Sequence, residues 1–126
     1  MNYILNKYWN WQNHTSDMFI KKLPKIVGKR YELQTNIYYV RFKITNESEI
    51  YLEDVIIHPK YRRKGYLRKI MDNLCTEYKC SLFFESARDE LIPMYEHIGA
   101  FVYEPDENGD VCRCKTMIYD PLGINY

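Results

Sequence analysis

Nowhere does this 126-residue sequence hold the run of about eighteen apolar residues that crossing a bilayer takes, and its N-terminus lacks a signal-peptide pattern. No membrane role is expected. An excess of one charge is missing too, since 18 Lys and Arg stand against 17 Asp and Glu, a formal net charge of +1. That balance gives no general case for nucleic acid or an anionic membrane as partner, local patches aside. Cysteine is sparse, with only Cys75, Cys80, Cys112 and Cys114. Cys112 and Cys114 share one face of an expected strand, without the nearby ligand pairs of a tetrahedral zinc site. Free thiols, no metal and a cytoplasmic location are the expectation. Repeats, low-complexity tracts and linkers are absent, so residues 1–126 read as one domain.

What is present is a core. Apolar residues make up 46% of the chain, which supports a folded globular protein. Thirteen tyrosines and two tryptophans suit interior packing for the most part, with some available to line a cleft. The most informative stretch is residues 49–78, EIYLEDVIIHPKYRRKGYLRKIMDNLCTEY. Its first part alternates, with Tyr51, Glu53, Val55 and Ile57 on one side and Ile50, Leu52 and Ile56 on the other, as a strand near a core does. His58-Pro59 ends the strand, because proline has no N–H for a ladder. After Gly65, Leu67, Ile70, Met71, Leu74, Cys75 and Tyr78 recur at helical spacing. Glycine at a helix start aims free backbone N–H groups at one spot, and Arg62-Arg63-Lys64 adds positive charge there. The spot suits a diphosphate, although the Walker spacing is missing. A solvated basic loop is the plainer reading of the three cations.

Around this centre the expected order is a helical N-terminal part, a β-hairpin, a helix, a strand, a helix and a second hairpin. Thr15 or Ser16 can cap a helix through Met18, Phe19, Ile20 and Leu23, with Pro24 and Gly28 closing the segment. Residues 31–44 read as extended, and the Thr45-Asn46-Glu47-Ser48 turn folds them back on the next strand. Residues 81–85 form a strand reached by a right-handed crossover, hence parallel to the strand at residues 49–57. Asp89 can cap a helix whose stripe is Leu91, Met94, Tyr95 and Ile98, with Gly99 at its end. Strands over residues 101–103 and 111–119 meet through Asn108-Gly109. This order predicts an α/β fold with a mixed sheet.

The strand, basic turn and helix resemble the central motif of the GNAT superfamily of N-acetyltransferases, R/Q-x-x-G-x-G/A. Arg62, Gly65 and Leu67 hold its three defined positions, Leu67 departing from the small residue of the pattern. Tyr95-Glu96-His97-Ile98-Gly99-Ala100-Phe101 is similar to the family's Y-E-K-x-G-F segment. The resemblance covers the chain from about residue 31 onward. It implies a mostly antiparallel central sheet with flanking helices and one splayed parallel strand pair. Acetyl-CoA, as co-substrate, would lie in the splay. The backbone of Val55, Ile56 and Ile57 would pair with the pantetheine arm. Arg62, Arg63, Lys64, Gly65, Tyr66, Leu67 and Arg68 would hold the pyrophosphate.

Acetyl transfer needs a base for the amine, a donor for the oxyanion and an acid for the leaving thiolate. The resemblance implies Glu53 as base, with Asp54 the alternate on the opposite face, and Tyr95 as acid. The backbone N–H of Val55 or Ile56 would face the oxyanion. Either carboxylate could instead pair with Arg41 or Lys43 across the hairpin. His58 suits a turn better than a base, and His14 and His97 read as surface or packing residues. Arg88 stands where the family often has asparagine. The expected activity is transfer of acetyl from acetyl-CoA to a primary amine on a small molecule or protein, with Tyr8, Trp9, Trp11, Tyr38 and Tyr39 on the acceptor side. A homodimer is left open. The alternative is a non-catalytic protein of the same fold that binds acyl-CoA or a partner protein.

Overall fold

Among the described residues, proline-free runs rich in tyrosine, phenylalanine and β-branched residues supply six strands. They are β1 (Arg30–Gln34), β2 (Tyr38–Asn46), β3 (Glu49–Ile57), β4 (Ser81–Ser86), β5 (Phe101–Val102) and β6 (Lys115–Tyr119). Among the described residues, two helices, α1 (Tyr66–Tyr78) and α2 (Ile92–His97), connect them. The computed structural model of the chain describes residues 23–86, 89–103 and 115–126. The expected N-terminal helix, Tyr8, Trp9, Trp11, His14, Arg88, the Asn108-Gly109 turn, Cys112 and Cys114 lie outside those residues. One sheet runs in the order β1-β2-β3-β4-β6-β5. Every pairing is antiparallel except β3 with β4. This is the mixed sheet expected from the order of elements. Among the described residues, no helix is long and apolar enough to cross a membrane.

The extended segment expected over residues 31–44 is two strands, not one. Thr35 turns the chain, its hydroxyl oxygen accepting from the N–H groups of Ile37 at 3.0 Å and Tyr38 at 3.1 Å. A threonine side chain that satisfies the backbone locally competes with ladder pairing in this way. The second helix also begins later than expected. Asp89 lies in a 3-10 turn (Asp89–Leu91), and α2 starts at Ile92 with Pro93 in its first turn, where a missing N–H costs nothing. Gly99 does end it, at φ +106°, while the amides of Gly99 and Ala100 return to the carbonyls of Glu96 and Tyr95, both at 3.0 Å.

A bulge in β3 changes which residues face which side. Arg41 is opposite Asp54, but the next residue, Phe42, is opposite Leu52, so Glu53 is left over. Simple alternation therefore fails beyond Leu52. Val55 and Ile57 lie opposite Val40 and Tyr38 and pack on the core with Ile50 and Leu52, whereas Ile56 joins Tyr39 on the other face. The expected separation of Glu53 from Asp54 is corrected by the same bulge. Both carboxylates face Arg41.

The core fills one side of the sheet. Ile70, Met71, Leu74, Cys75 and Tyr78 of α1 are buried with Phe42, Ile44, Ile50, Leu52, Leu82 and Met117. Each large apolar side chain removed from water contributes about 1.5–3 kcal/mol. Polar staples fix the edges of this core. The Tyr119 hydroxyl of β6 bonds the Asp72 carboxylate on α1. Beyond β6, burial opposes ionisation of Asp120, yet the N–H groups of Ile124, Asn125 and Tyr126 outweigh it and hold the carboxyl below its ordinary range. That loop delivers the Asn125 amide to the Ser48 carbonyl at 3.0 Å and the Ser81 hydroxyl at 2.6 Å, where β3 and β4 begin.

Burial pushes the Cys75 thiol up to about 12, with Asp72 and Asp120 adding to it. Burial likewise takes the phenols of Tyr78 and Tyr119 to about 12, the latter helped by its bond to Asp72. All three groups are neutral when folded and release protons more readily when unfolded. Their contribution is therefore complete below pH about 9 and lost as pH rises to about 12. Urea midpoints should be insensitive to these groups at neutral pH and fall across that alkaline window, less steeply above pH about 10 for Tyr119→Phe.

Candidate functional site

Strands β3 and β4 stay together for only three residue pairs, Glu49 with Ser81, Ile50 with Leu82 and Tyr51 with Phe83. Past that point β4 keeps β6 as its partner and β3 keeps β2. Where β3 has left β4, a cavity of about 840 Å³ opens beside β3, lined by Val55, Ile56 and Ile57, the turn and start of α1, and α2. Its size falls in the range of small-molecule and cofactor sites.

The floor of the cavity is the turn between β3 and α1. His58 starts it, its Nδ1 accepting from the Lys60 amide at 3.2 Å, which gives the imidazole a capping role. Arg62 folds back, and its Nε donates to the Ile57 carbonyl at 2.9 Å. The first residue of the motif thus ties the turn to the strand end. Two left-handed residues follow, Arg63 at φ +62° and Gly65 at φ +80°. Glycine takes that conformation freely, whereas arginine is strained there, and such strain gathers at functional turns. Gly65 is the N-cap of α1 and offers no side-chain acceptor, so first-turn N–H groups remain available to an anion. Gly65, Tyr66, Leu67 and Arg68 line the cavity together with Arg62 and Arg63. Lys64 does not line it; its ammonium lies 5.9 Å from the Tyr61 ring centre. Leu67 packs against the core cluster, and the cavity stays open beside it.

Tyr95 lines the same cavity from α2, its ring tilted against Phe84 at 4.7 Å. Burial raises its phenol above the ordinary range. Glu53 is elsewhere. It is absent from the cavity wall, and its carboxylate pairs with Arg30 and lies 3.9 Å from Arg41. Asp54 lies 3.7 Å from Arg41. Tyr38 belongs to the core, and Tyr39 is buried on the opposite face. Four cavity residues were not assigned to the site from the sequence: Tyr61, Met94, His97 and Ile98. His97 had a signal, since it stands two residues after Tyr95 in the same motif. Among the described residues, no three His, Cys, Asp or Glu side chains converge as metal ligands would, and Cys75 and Cys80 are free and buried.

A family model described as "Acetyltransferase (GNAT) family" matches residues 5–100. The chain belongs to the GNAT family. Among curated proteins, none matches the sequence. Solved structures share the GNAT fold. A GNAT-family protein from Bacteroides thetaiotaomicron is similar at 22% identity and a TM-score of 0.53, over 68% of this chain and 56% of that one. An IAA acetyltransferase from Bacillus cereus is similar at 14% identity and a TM-score of 0.51, over 68% of this chain and 71% of that one. The chain therefore spans less than two thirds of the Bacteroides protein.

A methyl group added at Gly65 would meet no atom within 4 Å, so replacing it costs conformational strain and no clash. Gly65→Ala should lower unfolding stability by about 1–2 kcal/mol in urea titration, through the left-handed backbone alone.

Proposed function

We propose that this GNAT-family chain is an acyl-CoA-dependent N-acyltransferase that moves acetyl from acetyl-CoA to a primary amine by direct attack. The observation that carries this reading is the divergence of β3 from β4 after three pairs, beside a helix start rich in unpaired N–H groups. An extended thioester arm fits along the free side of Val55, Ile56 and Ile57 as a strand would. The pyrophosphate rests on the N–H groups at the start of α1, with Arg63 and Arg68 beside it.

In the reaction the amine nitrogen attacks the thioester carbonyl, a C–N bond forms, and the C–S bond breaks as the tetrahedral intermediate collapses. The backbone N–H of Val55 or Ile56 donates to the oxyanion. Tyr95 donates to the departing sulfur; burial keeps its phenol protonated through the neutral range. The amine's proton passes to Glu53, directly or through water. Because Glu53 faces Arg41, the acceptor approaches through the strand gap from that face of the sheet.

The ion pairing of Glu53 with Arg30 and Arg41 favours a second reading, a non-catalytic acyl-CoA binder of the same fold. Binding and turnover separate the two. At 100 times its Kd, acetyl-CoA should add about 2.7 kcal/mol of stability, read as a raised melting temperature. A melting temperature unmoved by acetyl-CoA would remove both readings. Thiol release with a mixture of primary amines should occur for the enzyme only. Tyr95→Phe should then lower kcat by about 10²-fold with KM for acetyl-CoA little changed, and Glu53→Gln should lower kcat by a comparable factor. An unchanged rate in either variant removes that residue from the mechanism.

A further inference from the structure

The face of β1 and β2 that turns away from α1 holds buried polar atoms with nothing to bond. Tyr31 and Leu33 of β1 pack on the core, so Gln34 falls on the other face with Arg30 and Glu32. Gln34 is only 9% exposed, yet neither atom of its carboxamide has a hydrogen-bond partner. Arg41 shares that face, and its buried Nε also lacks one. Glu53 and Asp54 lie 3.9 and 3.7 Å from its guanidinium, beyond hydrogen-bond reach. Among the described residues, the remaining buried side-chain atom of this kind is the Tyr78 hydroxyl, in the core. Unpaired burial is costly, and native proteins keep few such groups outside functional sites.

We infer that Gln34 and Arg41 read amide groups of the acceptor, and that the acceptor is an amine carried on a peptide. The inference rests on the acetyl-transfer reading of the site and names its substrate class. A carboxamide both accepts and donates, whereas Arg41 Nε only donates. An ammonium group also only donates, so a plain amine answers the Gln34 oxygen and nothing else. A peptide group pairs with both ends of the carboxamide, and a further carbonyl meets Arg41. Spacing agrees with this. Gln34 lies opposite Tyr39, which makes Arg41 its diagonal neighbour at about 7–8 Å. Two residues of extended chain span about 7 Å. Glu53, beside Arg41, meets the amine at the β3 end, and Ile56, opposite Tyr39, reaches the cavity. The way in is at Arg41 and Asp54, whose side chains each keep 39% exposure. Arg30, Arg41 and Lys43 balance Glu32, Glu53 and Asp54 on this face, so a polyamine gains nothing from its extra charge.

The test is thiol release from acetyl-CoA by the whole chain with trialanine amide, N-acetyl-lysine methylamide, butylamine or spermidine as acceptor. The first two separate an α-amine from a lysine side chain, and preference for either supports the inference. Two buried hydrogen bonds, each worth about tenfold, should raise kcat/KM for the better amide about 100-fold over butylamine and spermidine. Gln34→Met keeps the shape and removes the unpaired atoms. It should raise the melting temperature of the free chain and raise KM for that amide about tenfold, with acetyl-CoA affinity by calorimetry unchanged. Equal kcat/KM for amides and plain amines in the unaltered chain would overturn the inference and leave acetyl transfer intact. So would a Gln34→Met chain, folded by far-UV circular dichroism, whose KM for the amide does not move. A lower melting temperature in that variant would mark the carboxamide as structural and overturn it too. Release with none of the four acceptors would remove the acetyl-transfer reading, and the inference with it.

Discussion

Three rungs of parallel pairing between β3 and β4 are the constraint on which the rest of this molecule depends. Were the strands joined along their whole length, the cavity would be a ladder. Were they not joined at all, nothing would hold its walls at a fixed separation. The closed end is secured from outside the strands, by the Ser81 amide on the Ser48 carbonyl at 2.9 Å and by the Asn125 amide that bonds Ser48 and Ser81 together. Asp120 in turn orders the segment that brings Asn125 there, through three backbone N–H groups. A pin at one end lets each strand follow a different partner at the other.

The bulge at Glu53 works with that pin. One extra residue on β3 lets Val55 and Ile57 pack on the core while the two carboxylates before them stay on the Arg41 face. Without it, Val55 and Ile57 would point away from α1, and the strand would be hydrophobic on the wrong side at the cavity. Bulges also increase local twist, which agrees with the departure of β3 from β4 just before this point. The same local event therefore shapes the cavity wall and decides where the acidic side chains lie.

Much of this was legible in the chain. The bounds of β3 and the extent of α1 follow from punctuation: Pro59 cannot extend a ladder, Gly65 opens the helix, and apolar residues at helical spacing run to Tyr78. The glycine turn at the start of α1 was legible because its residues are consecutive. The break at Thr35 was not, because a hydroxyl that satisfies two amides leaves the same composition as a continuous strand. Nor was the bulge, since one unpaired residue has no compositional mark and only the partner strand defines it. Tyr61 and His97 were not assigned to the site for a related reason: each gains meaning from the opposite wall of the cavity, which lies far along the sequence.

Divergence of β3 from β4 also creates a hazard that the architecture contains. A strand with one unsatisfied side is a template on which foreign strands can assemble, and proteins commonly shield such sides. Here the open side of Val55, Ile56 and Ile57 is recessed, with α1 and its basic turn on one flank and α2 on another. A slender linear molecule can enter lengthwise, whereas the broad face of a neighbouring sheet is kept out by bulk and by charge. Selective access and resistance to clumping thus have the same physical origin.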